Sequence, residues 1–173
     1  MITIIAATNR PGSSTLKVAT HYQQMMEKAG EKTQLFSLEK LPADIAFNEV
    51  FGKRSVAFQD ILNEYIVHSQ KFVFVVPEYN GSFPGILKTF LDAVHPDLLR
   101  GKKAALLGVS SGRAGNLRGM EHLTGILNYL GLFVHPNRLP VSSVLTLMDE
   151  KGNITDANTI KVLEKHVGDV IGW

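Results

Sequence analysis

The sequence has no cysteine among its 173 residues. That absence removes a disulfide framework, a thiolate-held zinc or iron–sulfur site and a thiol nucleophile together, so redox chemistry here requires a borrowed cofactor. An excess of charge is missing too: 18 Lys plus Arg face 16 Asp plus Glu. No overall field draws the chain to nucleic acid or to an anionic membrane, and an anion must be held by a local set of donors. No apolar run approaches the roughly 18 to 20 residues of a membrane helix. The histidines, six in number, show no metal-ligand spacing. The apolar start, Met1 to Thr8, lacks a cationic leader and breaks at Asn9-Arg10-Pro11, so it reads as a strand rather than a signal peptide. A cytoplasmic location is expected.

What is present is a composition 45% apolar, enough for one hydrophobic core over residues 1–173 and too short a chain for two ordinary domains. After the first strand a polar turn leads to helical spacing from Leu16 to Ala29, stopped by Gly30. Thr33 to Leu38 reads as a second strand and Leu41 to about Lys53 as irregular, with a helix over Val56 to Ser69. Phe72 to Val76 is a β-branched and aromatic run without alternation, the mark of a strand covered on both faces. A loop from Pro77 to Gly85 precedes a short helix, Ile86 to Val94, and Ala104 to Val109 is a fourth buried strand. A helix over Leu117 to Leu130, a strand around Leu132 to Val134 and a last helix from Asp156 to Ile171 complete the alternation. Such β-α order implies an α/β fold with a mostly parallel sheet and right-handed crossovers.

Ligands of open α/β sheets bind at the carboxyl ends of the strands. The first loop there, Thr8 to Thr15, gathers Thr8, Arg10, Ser13, Ser14 and Thr15 at a helix start, where backbone amides, hydroxyls and a guanidinium make a phosphate cradle. Ser13 or Ser14 is equally a helix cap. Neither a Walker loop nor a dinucleotide turn is present, and a single phosphate monoester fits better than a pyrophosphate. The second loop holds Pro77, Glu78, Tyr79, Asn80 and Gly81, followed by Ser82-Phe83-Pro84-Gly85. Its two prolines, two glycines and two aromatics make a fixed ledge suited to a planar heterocycle, as well as a turn that closes the core. The third loop, with Ser110, Ser111, Gly112, Arg113 and Gly115, offers backbone donors with little bulk.

Three segments resemble the NAD(P)H-dependent FMN reductases, a family of flavodoxin-like flavoproteins. The family's first loop runs Gly-Ser-x-Arg-x-x-Ser-x-Asn; here Ala7, Thr8 and Thr15 replace Gly, Ser and Asn while Arg10 and Ser13 stand. Pro77-Glu78-Tyr79-Asn80 is intact, with Pro84, Leu87-Lys88 and Asp92 in place, and the third loop is compatible. The resemblance implies a flavodoxin-like three-layer sandwich with a five-stranded parallel sheet ordered 2-1-3-4-5. It implies that Thr8, Arg10, Ser13 and Thr15 hold the FMN phosphate, Ser14 lending an amide. Pro77 to Gly81 and Ser110 to Gly115 would then hold the isoalloxazine ring. NADPH or NADH would supply hydride and a small-molecule electron acceptor (flavin, quinone, azo compound or similar) would take it, in a homodimer or homotetramer. The flavin carries the chemistry, so no catalytic side chain is named. Arg113 is either a partner for the extra phosphate of NADPH or a solvated loop arginine.

Two other readings stand beside this one. A flavodoxin-type electron carrier would share the flavin site and lack one for NAD(P)H, although many such carriers are strongly acidic and this chain is not. Gly108-Val109-Ser110-Ser111-Gly112 also matches the nucleophile elbow of serine hydrolases, with Asp149 and His166 in the required order, but without a His-Gly-Gly-Gly oxyanion segment.

Overall fold

A computed structural model describes all residues, 1–173. Strand β1 (Ile2–Ala6) is fully buried, as its unbroken apolar composition requires. Helix α1 (Ser14–Lys28) begins where the Ser13 hydroxyl accepts a hydrogen bond from the Leu16 amide at 3.2 Å. It ends at Gly30, whose φ of +90° a side chain would strain. Strand β2 (Thr33–Ser37) follows, then a short helix α2 (Ile45–Asn48) inside the stretch expected to be irregular. Helix α3 (Val56–Leu62) is capped by Ser55 and continues as a π-helical turn over Asn63–Val67. Strand β3 (Lys71–Pro77), helix α4 (Gly85–Ala93), strand β4 (Lys103–Val109) and helix α5 (Leu117–Tyr129) fall close to their expected positions. The chain closes with β5 (Phe133–Val134), β6 (Leu139–Val141) and helix α6 (Ala157–Gly172), capped by the Asp156 carboxylate on the Thr159 amide at 2.7 Å.

The sheet is parallel and ordered β2-β1-β3-β4-β5, which is the flavodoxin-like order. The five expected strands stand in the expected order, and a sixth, β6, is attached to β4 off that path. The last sheet position is filled by two pieces, because β5 pairs with the start of β4 (Lys103↔Phe133) and β6 with its end (Leu107↔Leu139, Val109↔Val141). Between them lies His135-Pro136-Asn137-Arg138, where proline has no amide to donate and the pairing stops. Pro140 within β6 is tolerated because β6 is an edge strand.

Alternate residues of the central strands feed two cores. Ile5, Phe72, Phe74 and Leu106 face α3, α4 and α5, whose Phe58, Leu62, Phe90 and Leu123 close that side. Phe36 and Phe90 meet edge to face with centroids 5.5 Å apart. On the other side Ile4, Val73, Val75 and Leu107 meet Val18, Tyr22 and Met26 of α1 and Leu163 and Val167 of α6. With both faces covered, the carboxyl edge of the sheet is where strand ends, loops and helix N-termini come together.

Candidate functional site

The first loop turns sharply after β1. Thr8 is buried, and its hydroxyl sits 2.8 Å from the Tyr79 hydroxyl while accepting a hydrogen bond from the Arg10 amide at 3.2 Å. The contact with Tyr79 ties the first loop to the second, and the Arg10 bond fixes the turn of the first loop itself. Gly12, at φ +62°, then aims the chain into α1, and nothing stands within 4 Å of where its Cβ would be. Within the helix the first amides with acceptors are those of Leu16 and Lys17, both on the Ser13 carbonyl. The amides of Gly12, Ser13, Ser14 and Thr15 therefore converge at the positive end of α1 with no acceptor in the protein.

In the second loop Tyr79 and Ser82 exchange backbone hydrogen bonds of 2.8 and 3.1 Å. Asn80 and Gly81 between them have φ of +52° and +78°, the two positive values that a type I′ turn demands. This is why Asn-Gly sits there, and the turn leaves both its central amides free of backbone partners. The third loop is folded onto itself: the Ser110 hydroxyl donates to the Gly112 carbonyl at 2.8 Å and accepts from the Gly115 amide at 3.0 Å. Asn116, fully buried at φ +60°, donates to the carbonyls of Val76 and Pro77, each at 3.0 Å, and so fastens the third loop to the end of β3. The Ser143 amide reaches the Gly112 carbonyl at 2.8 Å, bringing the turn after β6 into the same assembly.

Between these loops lies a cleft of about 300 Å³. Arg10, Ser13, Ser14 and Thr15 line one end, and Pro77, Glu78, Tyr79, Ser110 and Ser111 line the other. Thr8 stands behind the wall as a tie rather than on it, and Asn80, Gly81, Gly112, Arg113 and Gly115 lie outside the lining. Pro11, Gly12 and Val109 complete the walls, together with Val144 and Leu145. The last two are invisible to a reading that ends the site at the third loop, because β6 brings them in. Leu145 is two-thirds exposed and forms an apolar lip.

The hydrolase arrangement is not assembled. The Ser110 hydroxyl is occupied by its own loop, and His166 is buried with its ring nitrogens on the Tyr22 hydroxyl and the Asn137 carbonyl. The Asp149 carboxylate is taken by Asn153. No free nucleophile–base pair remains among the three.

Over 175 residues the chain is 27% identical to a 2-hydroxy-1,4-benzoquinone reductase from a Burkholderia species, covering 91% of this chain and 96% of that one. An NAD(P)H-dependent FMN reductase of Pseudomonas aeruginosa is 34% identical over 116 residues, covering 64% of this chain and 62% of that protein. Among solved structures, the flavoenzyme FerB, an NAD(P)H:(acceptor) oxidoreductase from Paracoccus denitrificans, superposes with a TM-score of 0.83 at 22% identity, covering 99% and 95% of the two chains. The family model of the NADPH-dependent FMN reductases matches residues 1–145, spanning all three loops of the cleft, and the chain belongs to that family.

Proposed function

We propose that the cleft holds FMN with its phosphate on the Arg10–Thr15 turn and its ring between the Pro77–Gly81 and Ser110–Gly115 loops. In this reading residues 1–173 work as one domain, NADPH or NADH is the donor, and a small oxidised molecule of the quinone class is the acceptor. The observation that carries it is the row of unpartnered amides from Gly12 to Thr15 opening into the cleft beside Arg10. Those amides and the guanidinium match a phosphate monoester in charge and donor number. The rigid Tyr79–Ser82 turn and the close-packed third loop match a flat heterocycle in shape. Bound FMN would supply the hydride-accepting ring. The protein's own part is then to fix that ring, to leave one face open to a second planar molecule, and to seat small acceptors against the Leu145 lip.

The quinone acceptor is favoured because the relative aligned over nearly its whole length is a 2-hydroxy-1,4-benzoquinone reductase. Pairing of chains into a homodimer or homotetramer, and a cytoplasmic location, belong to the same proposal. Phe47, Phe51 and Val56, 85%, 95% and 78% exposed, support the pairing as large apolar side chains, near one another in sequence, that a monomer leaves wet. The test is a visible spectrum of protein loaded with FMN and freed of excess, followed by anaerobic NADPH and then NADH. Retained flavin bleached by either donor is expected. Flavin retained but bleached by neither would make the protein an electron carrier, and no retained flavin would refute the cradle.

A further inference from the structure

Beside the cleft, on the outer face of α1, a second cavity of about 320 Å³ lies between that helix and the Asp149–Asn153 turn. Gly12 and Ser13 form a wall common to both cavities, and above Gly12 that wall carries no side chain. The second cavity is lined by Lys17, Thr20, His21 and Gln24 of α1 and by Lys151 and Asn153 of the turn. The turn is fixed in place. Asn153 holds the Asp149 carboxylate with its amide at 2.8 Å and its side chain at 2.9 Å, which keeps that negative charge among its own loop partners. Gly152, at φ +84°, lays its backbone so close on Lys17 that a Cβ would meet the lysine stem at 2.5 Å.

Two cations therefore flank a space next to the phosphate cradle, and neither forms an ion pair within the protein. The His21 Nε2 atom is buried and has no hydrogen-bond partner. Burial holds the His21 ring below the ordinary histidine pKa, so it presents a neutral imidazole with an unused nitrogen. A buried polar atom left without a partner calls for an explanation, and a polar group entering this cavity supplies one for His21.

We infer that this second cavity receives the adenylyl end of FAD, so that the protein takes FAD as well as FMN. The inference rests on the assignment of the Gly12–Thr15 amides to the FMN phosphate. In FAD that phosphate is joined through one bridging oxygen to the phosphate of AMP, so the addition must leave the first cleft at the phosphate end, over Gly12. Lys17 and Lys151 then meet the second phosphate, and His21, Gln24 and Asn153 offer polar edges to the adenine and ribose. The sequence pattern of the first loop favoured a monoester because the Asp149–Asn153 turn, more than 130 residues away in the chain, is what builds the second cavity.

Flavin-free protein is titrated with FMN and with FAD by calorimetry, for the wild type, for Lys17→Ala with Lys151→Ala, and for Thr20→Trp, which fills the cavity. Wild-type protein is expected to bind both flavins. The double lysine variant should weaken FAD about tenfold, as loss of charge-assisted contacts to one phosphate predicts, and Thr20→Trp about as much by blocking the space, while FMN stays within about twofold in both. FAD binding that is absent, or that falls only in step with FMN, overturns the inference. So does a rise in the NADPH KM with FAD affinity intact, which would give the cavity to the nicotinamide donor. Failure of FMN itself to bind the wild type would remove the cradle and this inference together, a result distinct from loss of FAD alone.

Discussion

The two ends of the sheet solve opposite problems with the same helices. At the carboxyl end the N-terminus of α1 points its unpaired amides into a cleft, and the loops there carry the positive φ values of Gly12, Asn80, Gly81, Gly115 and Asn116. At the amino end the helices finish, and carbonyls at the ends of α6 and of the π-helical turn after α3 are already satisfied. Lys71 reaches the Val170 carbonyl of α6 and Lys103 the Trp173 carbonyl, while Lys102 donates to Ile66 at 2.8 Å and Val67 at 3.1 Å. Lysines at strand starts thus close negative helix ends, whereas the first turn of α1 carries no carboxylate of its own. An end sealed by the protein's own charges serves stability; the end left open is the one that binds a foreign anion.

The largest effect should follow from disturbing the open end's backbone. Gly115 sits at φ +55°, and a Cβ there would stand 2.4 Å from the Pro140 side chain. Gly115→Val should cost about 3 kcal/mol of stability or more and abolish flavin retention, because strain and clash add. Gly112→Ala is the control: its Cβ position has nothing within 4 Å and its φ is not positive, so the urea midpoint should hardly move. Similar losses in both would mean that the loop is loose and the comparison of ends is wrong.

Next in size is the anion itself. Arg10→Ala with Ser13→Ala should weaken FMN about a hundredfold and riboflavin only about threefold, since riboflavin has no phosphate to lose contact with. Ser13 also caps α1, so about 1 kcal/mol of stability should go as well. Fluorescence titration with both flavins reads the difference, and equal losses would sink the cradle.

Much of this was legible before folding. The buried strands Phe72–Val76 and Ala104–Val109 announce themselves by unbroken apolar composition, and Asn80-Gly81 is a local turn code that the structure realises at +52° and +78°. What stayed hidden depends on distant partners. Strand β6 contains Pro140 and reads as loop until β4 stands beside it. With β6 come Val144 and Leu145, and so one wall of the cleft. Asn116 looks like any polar residue before a helix, yet its two bonds to Val76 and Pro77 span about forty residues. Thr8 reads as a phosphate donor, while the structure sets its hydroxyl on Tyr79. Chemical type is local information; the direction in which a hydroxyl points is not.

The sealed end predicts smaller changes that leave flavin alone. Lys103→Met removes the bond to the Trp173 carbonyl and the cation lying 5.3 Å from the Trp173 ring centroid. It also relieves Lys71, whose pKa is lowered by burial first and by Lys103 second. Loss and relief oppose each other, so a net fall of about 1 kcal/mol or less is expected, with FMN affinity unchanged. A clear fall in FMN affinity would show that the two ends are coupled through the sheet.

The mildest test is pH, and it also belongs to the sealed end. The Asn137 carbonyl can only accept, so the His166 Nε2 carries the proton and Nδ1 takes the Tyr22 hydroxyl proton at 2.8 Å. Burial holds His166 below its ordinary value of 6.5, with His135 adding to that and the Asn137 carbonyl and Asp169 pulling the other way. Its folded pKa being depressed, the unfolded chain binds the proton more readily. Stability is therefore full above pH 6.5, falls as pH drops toward the lower folded value, and levels off beneath it. His166→Gln should flatten this slope in urea unfolding at pH 7.5, 6.5 and 5.5 without changing FMN affinity at any of them. A slope that persists in the variant would move the titration to another group, and His21, also lowered by burial, is the first to replace. Because His21 lines the cavity assigned to the adenylyl end of FAD, its slope should shrink when FAD is bound, and that of His166 should not.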